Sequence, residues 1–334
     1  VKVILRADAG VGIGAGHVMR CLTIAEELHA RGHEVTLWGS LGGVPWLGER
    51  VTATGVRHLA SEPFSLDVDV IAAEADVVVV DSYTIDPAEI GRLDALAPVL
   101  AVIDGDDRRI RASAYLDQNL HAEALPYPSH VSDRLYAGSR YALVRRELSE
   151  LHRVSAWPLP DEPRVLCVLG GSDPLRSMPR VAAALCTLPE EVRLTLVTAP
   201  ESLQDVRELV AGRGGVKVVP PTSHIAGLLA ESDLVVSAAG TTAWDVCTIG
   251  MPAVFIAVVD NQRAGLRAIL DAGVALGLDA THDVACIDTV GQLVAMLIDD
   301  EDLRNEQSAR CRELFDGRGP ERVADALELM SEKP

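Results

Sequence analysis

The sequence predicts an α/β protein of two Rossmann-like domains facing a central cleft. Three observations predict it. The chain has 334 residues, 48% of them hydrophobic, which is enough for two cores rather than one. Short β-branched runs alternate with amphipathic stretches, the pattern of βα units on parallel sheets buried on both faces. The pattern stops at a proline-rich segment near the middle and starts again beyond it.

In the first half the strand runs are Val1–Leu5, Glu34–Trp38, Asp76–Val80 and Val99–Ile103. In the second half they are Arg164–Leu169, Arg193–Thr198, Val216–Val219, Asp233–Ser237 and Ala253–Val258. Between them Trp157-Pro158-Leu159-Pro160-Asp161-Glu162-Pro163 has the stiff, extended composition of a linker. The expected division is therefore 1–156 for the first domain, 157–163 for the linker and 164–334 for the second. Thr289 to Met330 reads as helices broken at Gly317-Arg318-Gly319-Pro320, one of which could pack back on the first domain.

The formal net charge of -19 repels nucleic-acid backbones and anionic membrane surfaces, so neither is expected as a partner. A small anionic ligand is compatible with it, because local backbone donors act at short range. Aromatic residues make up only 4%, too few for stacking platforms along a single-stranded polymer. The cysteines Cys21, Cys167, Cys186, Cys247, Cys286 and Cys311 lie far apart and read as reduced, buried thiols. With no apolar run long enough to span a bilayer, a cytoplasmic protein is expected.

Chemistry concentrates after the strands, where open α/β sheets bind their ligands. The first run leads into Gly10-Val11-Gly12-Ile13-Gly14-Ala15-Gly16-His17, a glycine-dense turn that opens a helix with Val18, Cys21, Leu22, Ala25 and Leu28 on its apolar face. The spacing is not the dinucleotide fingerprint G-x-G-x-x-G, but it lets backbone approach a ligand. His17 falls in the first helical turn, where helix amides favour a neutral ring able to accept a proton; a simple capping histidine fits the same position. Asp8 could orient that ring or satisfy loop amides. Asp81-Ser82-Tyr83 ends another strand at the same rim, with Tyr83 available to a ligand hydroxyl. Asp104-Gly105-Asp106-Asp107 has the composition of an acidic metal loop and equally that of a tight turn.

In the second half, Gly170-Gly171-Ser172-Asp173 and Ala239-Gly240-Thr241-Thr242 are glycine turns at helix starts, suited to cradle a diphosphate. Asp245, one turn further on, could hold a ribose diol or complement the helix dipole. Asp260-Asn261-Gln262 opens another helix and could cap it.

Together these segments resemble the UDP-sugar hydrolase of pseudaminic acid biosynthesis and the spore-coat polysaccharide proteins related to it, within the GT-B superfamily. The similarity runs through Arg6-x-Asp8, Ile13-Gly14-x-Gly16-His17-x-x-Arg20, Asp81-x-Tyr83, Tyr141-Ala142-Leu143-x-Arg145, Leu169-Gly170-Gly171-Ser172-Asp173 and Asp260-Asn261-Gln262. Ser223-His224-Ile225 and Gly240 to Gly250 are similar to the peptidoglycan GlcNAc transferase. The resemblance implies a nucleotide-sugar substrate, probed by Ile225 at the base, Gly240, Thr241 and Thr242 at the diphosphate and Asp245 at the ribose, with Gly14, Gly16, Gly171 and Ser172 also near phosphate. It implies catalytic roles for His17, Asp8, Tyr83 and Asn261, sugar contacts from Arg20, Asp81 and Gln262, and no cofactor or metal. His17 would activate water for inverting attack at the anomeric carbon, or deprotonate an acceptor in a glycosyltransferase; a silent nucleotide-sugar-binding protein is the third reading. The chain departs from the hydrolase pattern at Ala9, Gly10 and Ser82, and from the superfamily's ribose-binding glutamate at Asp245.

Overall fold

The computed structural model describes residues 1–10, 13–151, 158–170 and 176–332, apart from the side chain of Pro45. The chain forms two compact units, Val1–Arg146 with Gly317–Pro334, and Glu147–Asp316. The division thus lies N-terminal to the proline-rich segment, of which the structure describes Pro158 onward, and the last stretch of chain belongs to the first unit.

The first unit holds a seven-stranded parallel sheet of β1 (Lys2–Ala7), β2 (Glu34–Trp38), β3 (Arg57–Leu59), β4 (Val77–Asp81), β5 (Val99–Val102), β6 (Ala114–Asp117) and β7 (Leu135–Ala137). Its order is β3-β2-β1-β4-β5-β6-β7, so the winding reverses between β1 and β4. That reversal opens a crevice at the carboxyl ends of these two strands. The Val-Val-Val-Val-Asp sequence of β4 is buried along its whole length, as a central parallel strand must be.

Alternation along the strands sorts side chains between two cores. Val3, Leu5 and Ala7 of β1 and Val77 and Val79 of β4 pack with Val18, Cys21, Leu22, Ala25 and Leu28 of the Gly16–Ala30 helix. Ile4, Val78 and Val80 point to the opposite core, against Ile71, Ile90 and Leu93. The Gly16–Ala30 helix ends at Arg31, followed by Gly32 at φ +84°, a conformation that suits glycine. The terminal helix Gly319–Ser331 covers the first of these cores with Val323, Ala324, Leu327 and Met330. Each of its larger apolar side chains contributes about 1.5–3 kcal/mol by burial. Its start is fitted closely to the chain before it: a Cβ on Gly319 would lie 2.1 Å from the Ala142 carbonyl oxygen. The Tyr141-Ala142-Leu143 motif therefore serves as a dock for this helix, with Arg322 Nη1 donating to the Arg140 carbonyl at 2.7 Å.

The second unit repeats the plan with β8 (Arg164–Val168), β9 (Arg193–Val197), β10 (Val216–Val219), β11 (Leu234–Ala238), β12 (Ala253–Ala257) and β13 (Leu276–Asp279), all parallel. The order β10-β9-β8-β11-β12-β13 places its winding reversal between β8 and β11. Every strand run expected from the sequence is present, and β3, β6, β7 and β13 are additions. They are three or four residues long and carry no β-branched run, as in Arg-His-Leu and Leu-Gly-Leu-Asp. Among the described residues no helix is long and apolar enough to cross a membrane.

Candidate active site

In the first unit the turn after β1 closes on itself. Gly14 N–H donates to the Gly10 carbonyl at 2.8 Å and Gly10 N–H to that of Gly14 at 3.2 Å. Gly14 sits at φ +79°, where a Cβ would be strained, and Gly16 begins the helix that carries His17 one residue later.

His17 is buried, and its Nδ1 lies 2.6 Å from Oδ1 of Asp81 at the end of β4. Burial pushes the Asp81 carboxyl upward, but the charge of Arg20 and the His17 contact hold it below the usual carboxylate range. An ionised oxygen that close to a ring nitrogen requires a proton between them, so Nδ1 donates, and in the neutral ring Nε2 is the nitrogen that carries the lone pair. Arg20, one helical turn on, grips Asp81 with Nε to Oδ2 at 2.8 Å and Nη2 to Oδ1 at 2.7 Å. The same Nη2 is 3.1 Å from His17 Nδ1, an approach that follows from their shared acceptor.

Asp8, the sequence's candidate for orienting the imidazole, does not reach it. Its Oδ1 pairs with Arg6 Nη1 at 2.8 Å and accepts from Ser40 N–H at 2.8 Å; its Oδ2 accepts from Phe64 N–H at 2.9 Å. Burial raises the Asp8 carboxyl, and these partners bring it below its ordinary range. The difference is one of strand parity. Asp81 continues the alternation of Val77 and Val79 toward the Gly16–Ala30 helix, whereas Asp8 continues that of Ile4 and Arg6 toward the opposite face. Asp81, expected to touch sugar, is thus the partner of the histidine.

Arg20 extends the network to Asp104, the first residue of the acidic turn, with Nη1 at 2.9 and 3.0 Å from its two oxygens. Tyr83 Oη donates to Asp104 Oδ2 at 2.5 Å, and Asn119 Nδ2 donates to Oδ1 at 2.9 Å. Burial works against ionisation of Asp104, but the Arg20 charge and the donors from Tyr83, Asn119 and Arg20 bring its pKa down to about 2. Burial and the neighbouring Asp104 push the Tyr83 phenol up, so it stays protonated. Tyr83 is 44% exposed and meets the His17 ring edge to face, with centroids 4.6 Å apart.

The rest of the acidic turn is structural. Asp106 and Asp107 accept the backbone N–H groups of Arg108 and Arg109, which both adopt left-handed conformations, at φ +47° and +59°. Arg108 then donates to the carbonyls of Ser82 and Val102 and lies over the Tyr83 ring, 5.2 Å from its centroid. Among the described residues no group of three His, Cys, Asp or Glu side chains is placed to hold a metal ion.

The remaining expected residues belong to the second unit. Gly171 and Ser172 lie outside the described residues. Gly240 precedes the helix Thr241–Ile249, whose first amides have no side-chain cap; Asp245 is buried within that helix. Asn261 is exposed in a 3-10 turn after β12. Gln262 accepts from Val258 N–H at 2.9 Å, and its Nε2 would be 3.7 Å from a Cβ on Gly240, so the β11 and β12 turns meet. Ile225 is buried at the start of the helix Ile225–Ala230.

Residues 165–310 match the model of the glycosyltransferase family 28 C-terminal domain. Over 336 aligned residues the chain is 24% identical to the spore coat polysaccharide biosynthesis protein SpsG of Bacillus subtilis, covering 98% of each chain. It is 29% identical over 316 residues to the UDP-N-acetylglucosamine--N-acetylmuramyl-(pentapeptide) pyrophosphoryl-undecaprenol N-acetylglucosamine transferase of Halorhodospira halophila, covering 82% of this chain and 84% of that one. The crystal structure of Acinetobacter baumannii MurG superposes with a TM-score of 0.66 at 18% identity, over 98% of this chain and 99% of that one. The chain is an enzyme, and its two parallel-sheet units have the fold of GT-B glycosyltransferase structures.

The matching domain model and the Halorhodospira halophila relative are glycosyltransferases, and they support glycosyltransferase-like function rather than the hydrolysis that the sequence resemblance puts first. Asp104 was legible as part of an acidic turn, but its contacts with Arg20 and Tyr83 were not. Its partner Arg20 is 84 positions away, on the helix after β1, and only the order β1-β4-β5 in the sheet brings the two together.

Proposed function

We propose that this protein is an inverting glycosyltransferase that moves a sugar from a UDP-linked donor to a small-molecule or glycan acceptor. The observation that carries the reading is the anchoring of His17 Nδ1 on Asp81, which leaves Nε2 as the ring nitrogen able to take a proton. In this reading Nε2 removes the proton of an acceptor hydroxyl or amine. The freed lone pair forms a bond to the anomeric carbon from the face opposite the leaving group, and the bond from that carbon to the diphosphate oxygen breaks. The departing UDP takes the electron pair.

The second unit supplies the nucleotide side. The uncapped amino end of the Thr241–Ile249 helix, with Gly240, Thr241 and Thr242, provides donors for diphosphate oxygens. Asp245 is assigned to the ribose, Ile225 to the base, and Asn261 and Gln262 to the sugar. Gly171 and Ser172 are assigned to the diphosphate, as are Gly14 and Gly16 from the turn beside His17. The names of the relatives, a UDP-N-acetylglucosamine-dependent transferase and a polysaccharide biosynthesis protein, support a carbohydrate-building role with a UDP-sugar donor.

The test incubates the purified protein with UDP-, ADP-, GDP- and dTDP-sugars, with and without a pool of hydroxylated and amino-sugar acceptors, and measures nucleoside diphosphate release. Release that requires the acceptors and disappears in His17→Ala supports transfer. Equal release without acceptors assigns hydrolysis instead, and nucleotide binding with no turnover assigns a binding protein.

A further inference from the structure

We propose that Asp104 is a positioning residue for this reaction: through Arg20 it fixes the His17–Asp81 pair, and through Tyr83 it sets the polarity of the ligand group that can bind beside the histidine. The inference rests on His17 acting as the base.

The chain of contacts is continuous. Asp104 takes Nη1 of Arg20 on both oxygens, at 2.9 and 3.0 Å, and this holds the guanidinium plane so that Nε and Nη2 meet Asp81 as a fork. Without the far anchor, Arg20 can swing about its long stem, and Asp81 loses the clamp that points Oδ1 at His17. Asp104 is itself fixed. Asn119 donates Nδ2 to Asp104 at 2.9 Å and to Asp117 at 2.7 Å, and Asp117 is fully buried and further held by Gly105 N–H and Tyr127 Oη. The orientation of the histidine is therefore built outward from the β6 end of the sheet.

The second consequence concerns Tyr83. Its single proton is committed to Asp104 Oδ2 at 2.5 Å, so toward a ligand its oxygen offers only lone pairs. In the neutral ring protonated at Nδ1, His17 Nε2 is likewise an acceptor. Two acceptors on rings 4.6 Å apart select a ligand that presents hydrogen-bond donors there, a hydroxyl or an ammonium group, rather than a carbonyl or phosphate oxygen. That is the polarity of a nucleophile about to be deprotonated.

The test is made on the full chain labelled with 15N-histidine, using long-range 1H–15N spectra and His17→Gln to assign the His17 signals. Wild type is expected to show one neutral tautomer, protonated at Nδ1, with a far-downfield Nδ1 proton. In Asp104→Asn the downfield proton is expected to move upfield and the two nitrogens to average, with UDP affinity by calorimetry unchanged and turnover reduced about 10–100-fold, the scale of loss known for the outer hydrogen-bond partners of metal-ligating histidines. Asn119→Ser, which keeps the Asp104 charge and its Arg20 contact but removes the second donor to Oδ1, gives the same change at smaller amplitude and serves if the first variant does not fold. An unaltered His17 spectrum in both variants overturns the proposal. If the spectra change but acceptor-dependent turnover in wild type is absent, the positioning stands and the transferase reading fails.

Discussion

His17 Nδ1 and Asp81 Oδ1 stand 2.6 Å apart across the winding reversal of the first sheet, one at the start of the helix after β1 and the other at the end of β4. The pair has the geometry by which a buried carboxylate fixes the tautomer of a catalytic imidazole.

Asp81→Asn replaces the acceptor with a side chain that can present its amide protons to Nδ1, which favours the tautomer with Nε2 already protonated. Turnover is expected to fall by about 10⁴-fold, the loss when the orienting aspartate of a serine-protease triad is amidated, while UDP affinity is retained. Steady-state kinetics beside titration calorimetry measure both; a loss of less than tenfold would count against His17 as the base.

Asp8→Asn tests a different kind of role. Asp8 pairs with Arg6, whose side chain is fully buried, and ties down the amides of Ser40 and Phe64. Removing its charge leaves a buried guanidinium uncompensated, so the variant is expected to lose about 3–5 kcal/mol of stability in denaturant titration. The folded fraction should keep its turnover, because neither oxygen of Asp8 reaches the imidazole. A stable but inactive variant would return Asp8 to the catalytic group.

Gly240→Ala separates fold from binding in the second unit. Gly240 has φ −104°, which alanine adopts freely, and the added methyl meets only Gln262 Nε2, at 3.7 Å. Thermal unfolding should be little changed. If diphosphate oxygens approach the helix end at this residue, UDP affinity falls about tenfold, or about 1.4 kcal/mol, from the loss of close backbone approach. Unchanged affinity would move the diphosphate elsewhere.

Asp104 gives stability a defined acid dependence. Its folded pKa, about 2, lies below the ordinary 3.8, so its ionised form contributes stability that is fully present above the ordinary value and lost as pH falls through the folded one. The contribution is about 2 kcal/mol. Denaturant titrations of wild type and Asp104→Asn between about pH 5 and about pH 2 should therefore converge toward the acid end. Parallel curves would show that the carboxylate does not gain its charge stabilisation from Arg20.

The elements legible in the sequence were those with strong repeats: Val77–Asp81 as an unbroken buried strand, Gly16–Ala30 as a helix with one apolar face. His17 could be found because it follows a glycine turn at a strand end. Its true partner was harder to find. Asp8 and Asp81 both stand at strand ends, and only the parity of Ile4 and Arg6 against Val77 and Val79 tells which of them faces the histidine. Asp104 was legible as an acid in a turn, and a metal loop or a simple turn would read alike; its meaning comes from Arg20, Tyr83 and Asn119, none of them near it in sequence. The short strands β3, β6, β7 and β13 carry too few residues for any periodicity to emerge.

Because Gly317–Pro334 completes the unit that Val1 begins, the two units differ in when they can close during synthesis. A ribosome has made all of Glu147–Asp316 before Val323, Leu327 and Met330 exist to cover the exposed flank of the Gly16–Ala30 helix. The core around the His17-bearing helix is complete only once Gly319–Ser331 is made, so a chain cut short before Gly319 lacks the cover of that helix.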